Sequence, residues 1–255
     1  MRFLLYIAIF VFGLCIGSFL NCVIYRLQKT KSFLKGRSIC PKCKHILKWY
    51  DLLPVVSFIA LRGKCRYCRK KISWQYPLVE LGTALIFILI FNFQFSIFNF
   101  QTFYLLVTAC FLIIIFIYDL KTYFILDKII YPAIGIVLLW NIFNNWSGLL
   151  MLLLTAFLSA AFFFIIWLLS KGKAMGFGDA KLGFLMGLFL GFPGILVALF
   201  FAFLGGALVG LGLISSGKKK LKSQVPFGPF LITGTFVALF WGEKIVSWYL
   251  SIGAV

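Results

Sequence analysis

Apolar runs long enough to cross a bilayer recur along the chain, separated by short polar or basic segments. Runs of about 18 or more apolar residues predict helices whose solvent is lipid. The first covers 3–25 and stops at Arg26; it exceeds a signal-peptide core and no small-residue cleavage site follows, so it reads as a retained helix. Further spans are predicted at 78–95, 103–120, 129–143 and 149–170, with a polar turn at 96–102 and the Asn144–Gly148 turn between neighbours. Leu182 to Ile214 is 33 residues without a charge. One helix of that length would reach nearly 50 Å, well past the hydrocarbon core of about 30 Å. Gly191-Phe192-Pro193-Gly194 supplies a break, which divides the run into 180–191 and 194–214. A last span covers 229–250. The expected fold is all-α, with about eight transmembrane helices and one polar segment large enough to be a module. The predicted organisation is a first helix over 1–26, a cysteine-bearing segment over 27–77 and a membrane domain over 78–255.

Composition supports this reading and adds an orientation. Hydrophobic residues make up 63% of the 255 residues and charged ones 12%, too little charge to cover a soluble surface. Lys and Arg number 25 against 6 Asp and Glu. In a soluble protein such an excess would suggest nucleic acid; here the basic residues fall between apolar runs, so no nucleic-acid partner is expected. Segment 26–76 carries 14 Lys/Arg and one acid, which places it in the cytoplasm. Eight spans then put the Lys-bearing loops 121–128, 171–181 and 217–222 on that same side and the uncharged turns on the other. The chain is thus expected in the inner membrane, multi-pass, with both termini outside.

Cys40-Pro-Lys-Cys43 and Cys65-Arg-Tyr-Cys68 form a C-x2-C-x21-C-x2-C pattern, close to four-thiolate zinc spacing. A reducing compartment disfavours disulfides, leaving metal-free thiols as the alternative. A closed site of four thiolates has no open coordination position, so zinc here would staple a polar segment that has little core of its own. His45 reads as a surface residue, and Cys15, Cys22 and Cys110 as small apolar fillers within spans.

With one histidine and six acids, carboxylate chemistry has few possible sources: Asp51, Glu80, Asp119, Asp127, Asp179 and Glu243. Asp119 ends the third span, where the helix dipole disfavours an anion; Lys121 could offset it as a surface pair. Asp179 follows Gly176-Phe177-Gly178 and could either cap the next helix or do chemistry. For Asp127, before the fourth span, a cap is the favoured reading. Asp119 and Asp179 are predicted at the same membrane depth. Two carboxyls that meet cannot both ionise easily, so one holds a proton while the other can deprotonate a water. The spacing of 60 residues leaves their meeting open.

Gly176-Phe177-Gly178-Asp179-Ala180-Lys181 matches the motif of the GxGD-type intramembrane aspartyl peptidases, and the chain resembles the bacterial type IV prepilin peptidases of that class. Tyr118-Asp119-Leu120-Lys121, Gly17-Ser18-Phe19-Leu20-Asn21 with Tyr25-Arg26, Leu53-Pro54, Tyr76-Pro77-Leu78-Val79-Glu80 and Pro226-Phe227-Gly228-Pro229-Phe230 fit it in order. The resemblance implies catalytic Asp119 and Asp179, with Gly176, Gly178 and Lys181 in support. It also implies cleavage of a basic leader from prepilins or pseudopilins, substrates with a hydrophobic N-terminal helix, at the cytoplasmic face of the lipid membrane. Bifunctional members carry the cysteine segment and use S-adenosylmethionine to methylate the new N-terminus. Asn21 and Glu80 are the polar candidates for that activity; as alternatives, Asn21 makes a helix-end or interhelical hydrogen bond and Glu80 partners a nearby cation. The chain departs from the family at Leu126 before Asp127 and at Gln28 after Arg26-Leu27, where proline is usual. A proton-relay transporter would show inverted repeats, and none is evident. A non-enzymatic assembly factor would tolerate Asn at positions 119 and 179.

Overall fold

The computed structural model describes residues 2–29, 37–94, 99–173, 175–216 and 225–252. Among them every predicted span is a helix. These are α1 (Arg2–Gln28), α3 (Gln75–Gln94), α4 (Phe100–Thr122), α5 (Asp127–Asn144), α6 (Leu149–Ser170), α7 (Phe177–Leu190), α8 (Gly194–Ser215) and α9 (Gly228–Ile252), with a short α2 (Val56–Ala60) in the cysteine segment. No strand forms among the described residues; two isolated antiparallel bridges, Ile39 to Ile46 and Lys64 to Lys71, are the only extended pairing there. The predicted basic loop at 218–222 lies outside the described residues.

Six of the helices are long and apolar enough to cross a membrane: α1, α3, α4, α6, α8 and α9. Two predicted spans fall short of that standard for different reasons. Helix α5 opens with Asp127-Lys128 and carries Asn141 and Asn144, which lower its hydropathy over only 18 residues. Helix α7 has 14 residues, or about 21 Å at 1.5 Å per residue, less than the hydrocarbon thickness. The start of α3 precedes its predicted boundary because Pro77 lies in the first turn, where the missing N–H would have no intrahelical partner anyway.

The chain divides within α4 into two units, Met1–Ile114 and Ile115–Val255. In the first, α1 packs on α3. Gly13 and Gly17, four apart and so on one face of α1, make the approach possible: a Cβ on either would lie 2.6 Å from a backbone Cα of α3, that of Ala84 or Glu80.

In the second unit α7 is the centre, packed against α5, α6, α8 and α9. Asp179, Ala180, Leu182, Gly183, Leu185, Met186, Gly187 and Leu188 are all buried. Gly183 and Gly187 again share a face, turned to Phe163 and Ala156 of α6, and the Ser159 hydroxyl of α6 donates to the Gly183 carbonyl. A helix too short to span is therefore enclosed by longer ones. Its buried backbone needs no lipid-facing side chains, and the small residues let its neighbours close around it.

Candidate active site and thiolate cluster

Asp119 and Asp179 come together inside the second unit. Asp119 lies one turn from the end of α4 and is 4% exposed; Asp179, in the first turn of α7, is 7% exposed. The two carboxyls are close enough to interact electrostatically. Each also receives a backbone N–H from the start of a helix. Gly228, the first residue of α9, donates to Asp119. Gly176, which precedes α7, donates to the Oδ2 of Asp179 at 3.1 Å. The first N–H groups of a helix lack intrahelical acceptors, and here two such groups hold two acids in place. The capping reading of Asp179 is thus realised, in the N3 position that reaches back to the N-cap backbone, alongside the approach to Asp119.

Gly178 faces α5's entry: a Cβ there would stand 2.9 Å from the Cβ of Ile125. Gly176 is less constrained, since its Cβ would meet only ordinary contacts, the nearest 3.8 Å away. Lys181 turns away from the acids. Its ammonium donates to Asp127 at 2.5 Å and lies 5.1 Å and 5.2 Å from the ring centroids of Phe177 and Tyr131. The expected cap at Asp127 is therefore corrected: Leu126 holds the N-cap position, and Asp127 instead ties the start of α5 to the second turn of α7. The alternative pairing of Asp119 with Lys121 is not seen among the described residues, whose ion pairs are Arg66–Asp51 and Lys181–Asp127. The motif Pro226-Phe227-Gly228-Pro229-Phe230 marked Gly228 without naming its partner, and the sequence held no signal for the Asp127–Lys181 pair. Both depend on which helix ends meet.

The four cysteines of the first unit converge as predicted, their sulfurs all within 4.8 Å of one another. The two knuckles share one geometry. Cys40 N–H donates to the His45 carbonyl at 2.9 Å, and Cys65 N–H to the Lys70 carbonyl at 2.9 Å. Lys44 and Arg69, each one residue past the second cysteine of its pair, take left-handed φ of 59° and 54°. A tetrahedral zinc with Zn–S of about 2.3 Å needs sulfurs about 3.8 Å apart, which a small contraction of this cluster supplies. Burial opposes ionisation of Cys40, while the N–H groups of Cys43 and Lys42 and the sulfurs of Cys43 and Cys65 favour it and hold it at about 7; the same sharing pushes Cys43 up to about 11 and Cys65 upward, so without a metal the thiols keep protons that zinc would displace. Asp51 braces the second knuckle, accepting from Arg66 Nε at 2.9 Å and Tyr67 Oη at 3.0 Å.

Asn21 and Glu80 are both buried, each with its own set of hydrogen-bond partners. Asn21 donates to the Tyr76 carbonyl at 3.0 Å and accepts from Gln75 at 3.3 Å, joining α1 to the start of α3. Glu80 accepts the Val55 N–H at 2.8 Å and a bond from the Ser18 hydroxyl, where the alternative reading gives it a nearby cation. Val55 holds φ 58°, costly for a β-branched residue, by about 1–3 kcal/mol.

Two family models match this chain: the bacterial peptidase A24 N-terminal domain over residues 11–94 and the type IV leader peptidase family over 106–211. A prepilin leader peptidase/N-methyltransferase of Aeromonas salmonicida (strain A449) is 31% identical over 278 residues, covering 95% of this chain and 93% of the relative. The chain belongs to the type IV leader peptidase family. Proteins of the same name from Bacillus subtilis (strain 168), at 31% identity over 96% of this chain and 97% of the relative, and from Legionella pneumophila, at 30% over 96% and 94%, agree. No solved structure matches. Family membership and six apolar helices make this a multi-pass inner-membrane protein of a peptidase family. The N-terminal family domain contains the thiolate cluster, Asn21 and Glu80; the leader peptidase domain contains Asp119 and Asp179.

Proposed function

We propose that Asp119 and Asp179 are the catalytic pair of an aspartic endopeptidase that removes the basic leader from type IV prepilins or pseudopilins at the cytoplasmic membrane face. The observation that carries this reading is the burial of two interacting carboxyls on α4 and α7, each oriented by a helix-terminal N–H. With one proton between them, the ionised carboxyl takes a proton from a water that attacks the scissile carbonyl, and the protonated one donates to that carbonyl's oxygen. The tetrahedral intermediate collapses by breaking the C–N bond, and the new amine leaves with a proton. The cytoplasmic assignment rests on the basic loops, in particular the 14 Lys/Arg of 26–76.

The same chain then methylates the new N-terminus. S-adenosylmethionine supplies the methyl group, and we assign Asn21 and Glu80, both buried, to this transfer. Zinc on Cys40, Cys43, Cys65 and Cys68 holds the module's fold without entering either reaction.

The test is a time course of prepilin processing in proteoliposomes. Asp119→Asn and Asp179→Asn each insert normally and abolish cleavage; a variant that still cleaves ends the assignment. Mass spectrometry of the processed N-terminus reads the second activity, which Glu80→Gln removes while cleavage continues.

A further inference from the structure

A groove in the first unit takes no part in the chemistry above. It encloses about 600 Å³ and is lined by three cations, Arg62, Lys64 and Lys71, and by apolar groups that include Phe58, Trp74 and Leu81. Lys64 and Lys71 are opposite members of an antiparallel bridge. Residues so paired have Cβ atoms about 5 Å apart, and like charges there destabilise the pair. Among the described residues no carboxylate answers either lysine or Arg62. The groove thus concentrates positive charge that an anion would relieve.

Its apolar side points to the rest of the ligand. Phe58 and Trp74 lie with ring centroids 5.0 Å apart, and Trp74 is 69% exposed beside Ile59 at 68%. Tryptophan in such exposure is typical of the membrane–water interface. The lining also includes Pro77 and Leu81, in the first two turns of α3, one of the apolar spans. The groove therefore opens where the chain enters the bilayer.

We propose that it binds an anionic phospholipid, with the phosphate held by Arg62, Lys64 and Lys71 and the acyl chains leaving along Phe58, Trp74 and Leu81. Charge selects this occupant over two others. A basic leader peptide would be repelled. S-adenosylmethionine sets one carboxylate against an ammonium and a sulfonium, a net cation, and no acid lines the groove to receive its two positive groups. The proposal rests on the membrane location alone and is independent of the roles given to Asp119 and Asp179.

The experiment uses the full-length protein in nanodiscs containing photoactivatable phosphatidylglycerol or phosphatidylcholine, with crosslinks mapped by mass spectrometry. Phosphatidylglycerol is expected to label residues 58–81 preferentially. A basic residue near an anionic surface contributes about fivefold to lipid affinity, so R62Q/K64Q/K71Q should lose on the order of 100-fold. Lys42→Gln, on the other knuckle, should change labelling little. Equal labelling by the two lipids, equal loss in Lys42→Gln, or displacement of the label by S-adenosylmethionine overturns the proposal. If the triple variant loses zinc and so its fold, Trp74 provides a second reading in the unmutated module. The part of the fluorescence absent from Trp74→Phe should be quenched more strongly by brominated phosphatidylglycerol than by brominated phosphatidylcholine; equal quenching or the reverse order refutes the site.

Discussion

Replacing Gly228 by alanine should disable the peptidase without unfolding it. Gly228 opens α9 and gives its N–H to Asp119. A Cβ added there would stand 2.6 Å from Oδ2 of Asp119 and 3.2 Å from its Cγ. Close carbon–oxygen contacts lie near 3.3 Å, so the carboxyl must retreat by about 0.7 Å. Its φ is outside the left-handed region, and alanine suits a helix better than glycine, so backbone strain is not the cause of any loss. The obstructed atom is the end of a side chain rather than backbone, which lets the fold absorb the change by moving the carboxyl. A displacement approaching 1 Å in a catalytic group costs on the order of 10²-fold in rate. Initial rates of prepilin cleavage in proteoliposomes should fall by about that factor in Gly228→Ala, with normal insertion and zinc content. Gly135→Ala on α5 is the control, because nothing lies within 4 Å of its added Cβ. A Gly228→Ala enzyme that cleaves at the parental rate would refute the claim that catalysis depends on where Asp119 sits.

The two glycines before Asp179 should respond unequally to the same substitution. Gly176→Ala meets only a contact at 3.8 Å and should retain most activity, whereas Gly178→Ala drives a Cβ to 2.9 Å from Cβ of Ile125 and should cost about 1–3 kcal/mol of stability through overpacking. Thermal unfolding and cleavage rates of the pair check this, and equal loss in both would count against it. Elemental analysis should find one zinc per chain, lost in Cys40→Ser together with the module's resistance to proteolysis. Cleavage of segment 37–74 at an unchanged rate after metal removal would show that the cluster staples nothing.

The helices were legible because lipid imposes a simple rule: long apolar runs separated by polar breaks. That rule located α6 to the residue, since 149–170 has a Gly148 boundary and a basic stop at Lys171. It said little about α7, a 14-residue helix whose apolar stretch from Leu182 onward is apolar because protein surrounds it. The pairs Gly183-x3-Gly187 and Gly13-x3-Gly17 mark close-packed faces only once the structure shows what they meet, and the apolar-run rule gives them no weight. The cysteine pattern carried over well because a CxxC turn fixes its sulfurs locally. The left-handed backbone at Lys44 and Arg69 was not readable, as neither is the glycine or asparagine such a conformation favours.

The site itself was half visible for a related physical reason. A membrane interior limits the polar side chains a protein can afford, and this chain has six acids in all. Orientation of the acids is therefore assigned to backbone N–H groups, those of Gly176 and Gly228, which every sequence possesses and none advertises. Such donors are set by where helices begin, and helix starts are held by the packing of α7 and α9 in the second unit. Side-chain motifs could name Asp119 and Asp179, while the geometry that makes them a pair lies in helix termini. It follows that the informative substitutions are at glycines, where a single methyl reports on an approach that no change of polar side chain can reach.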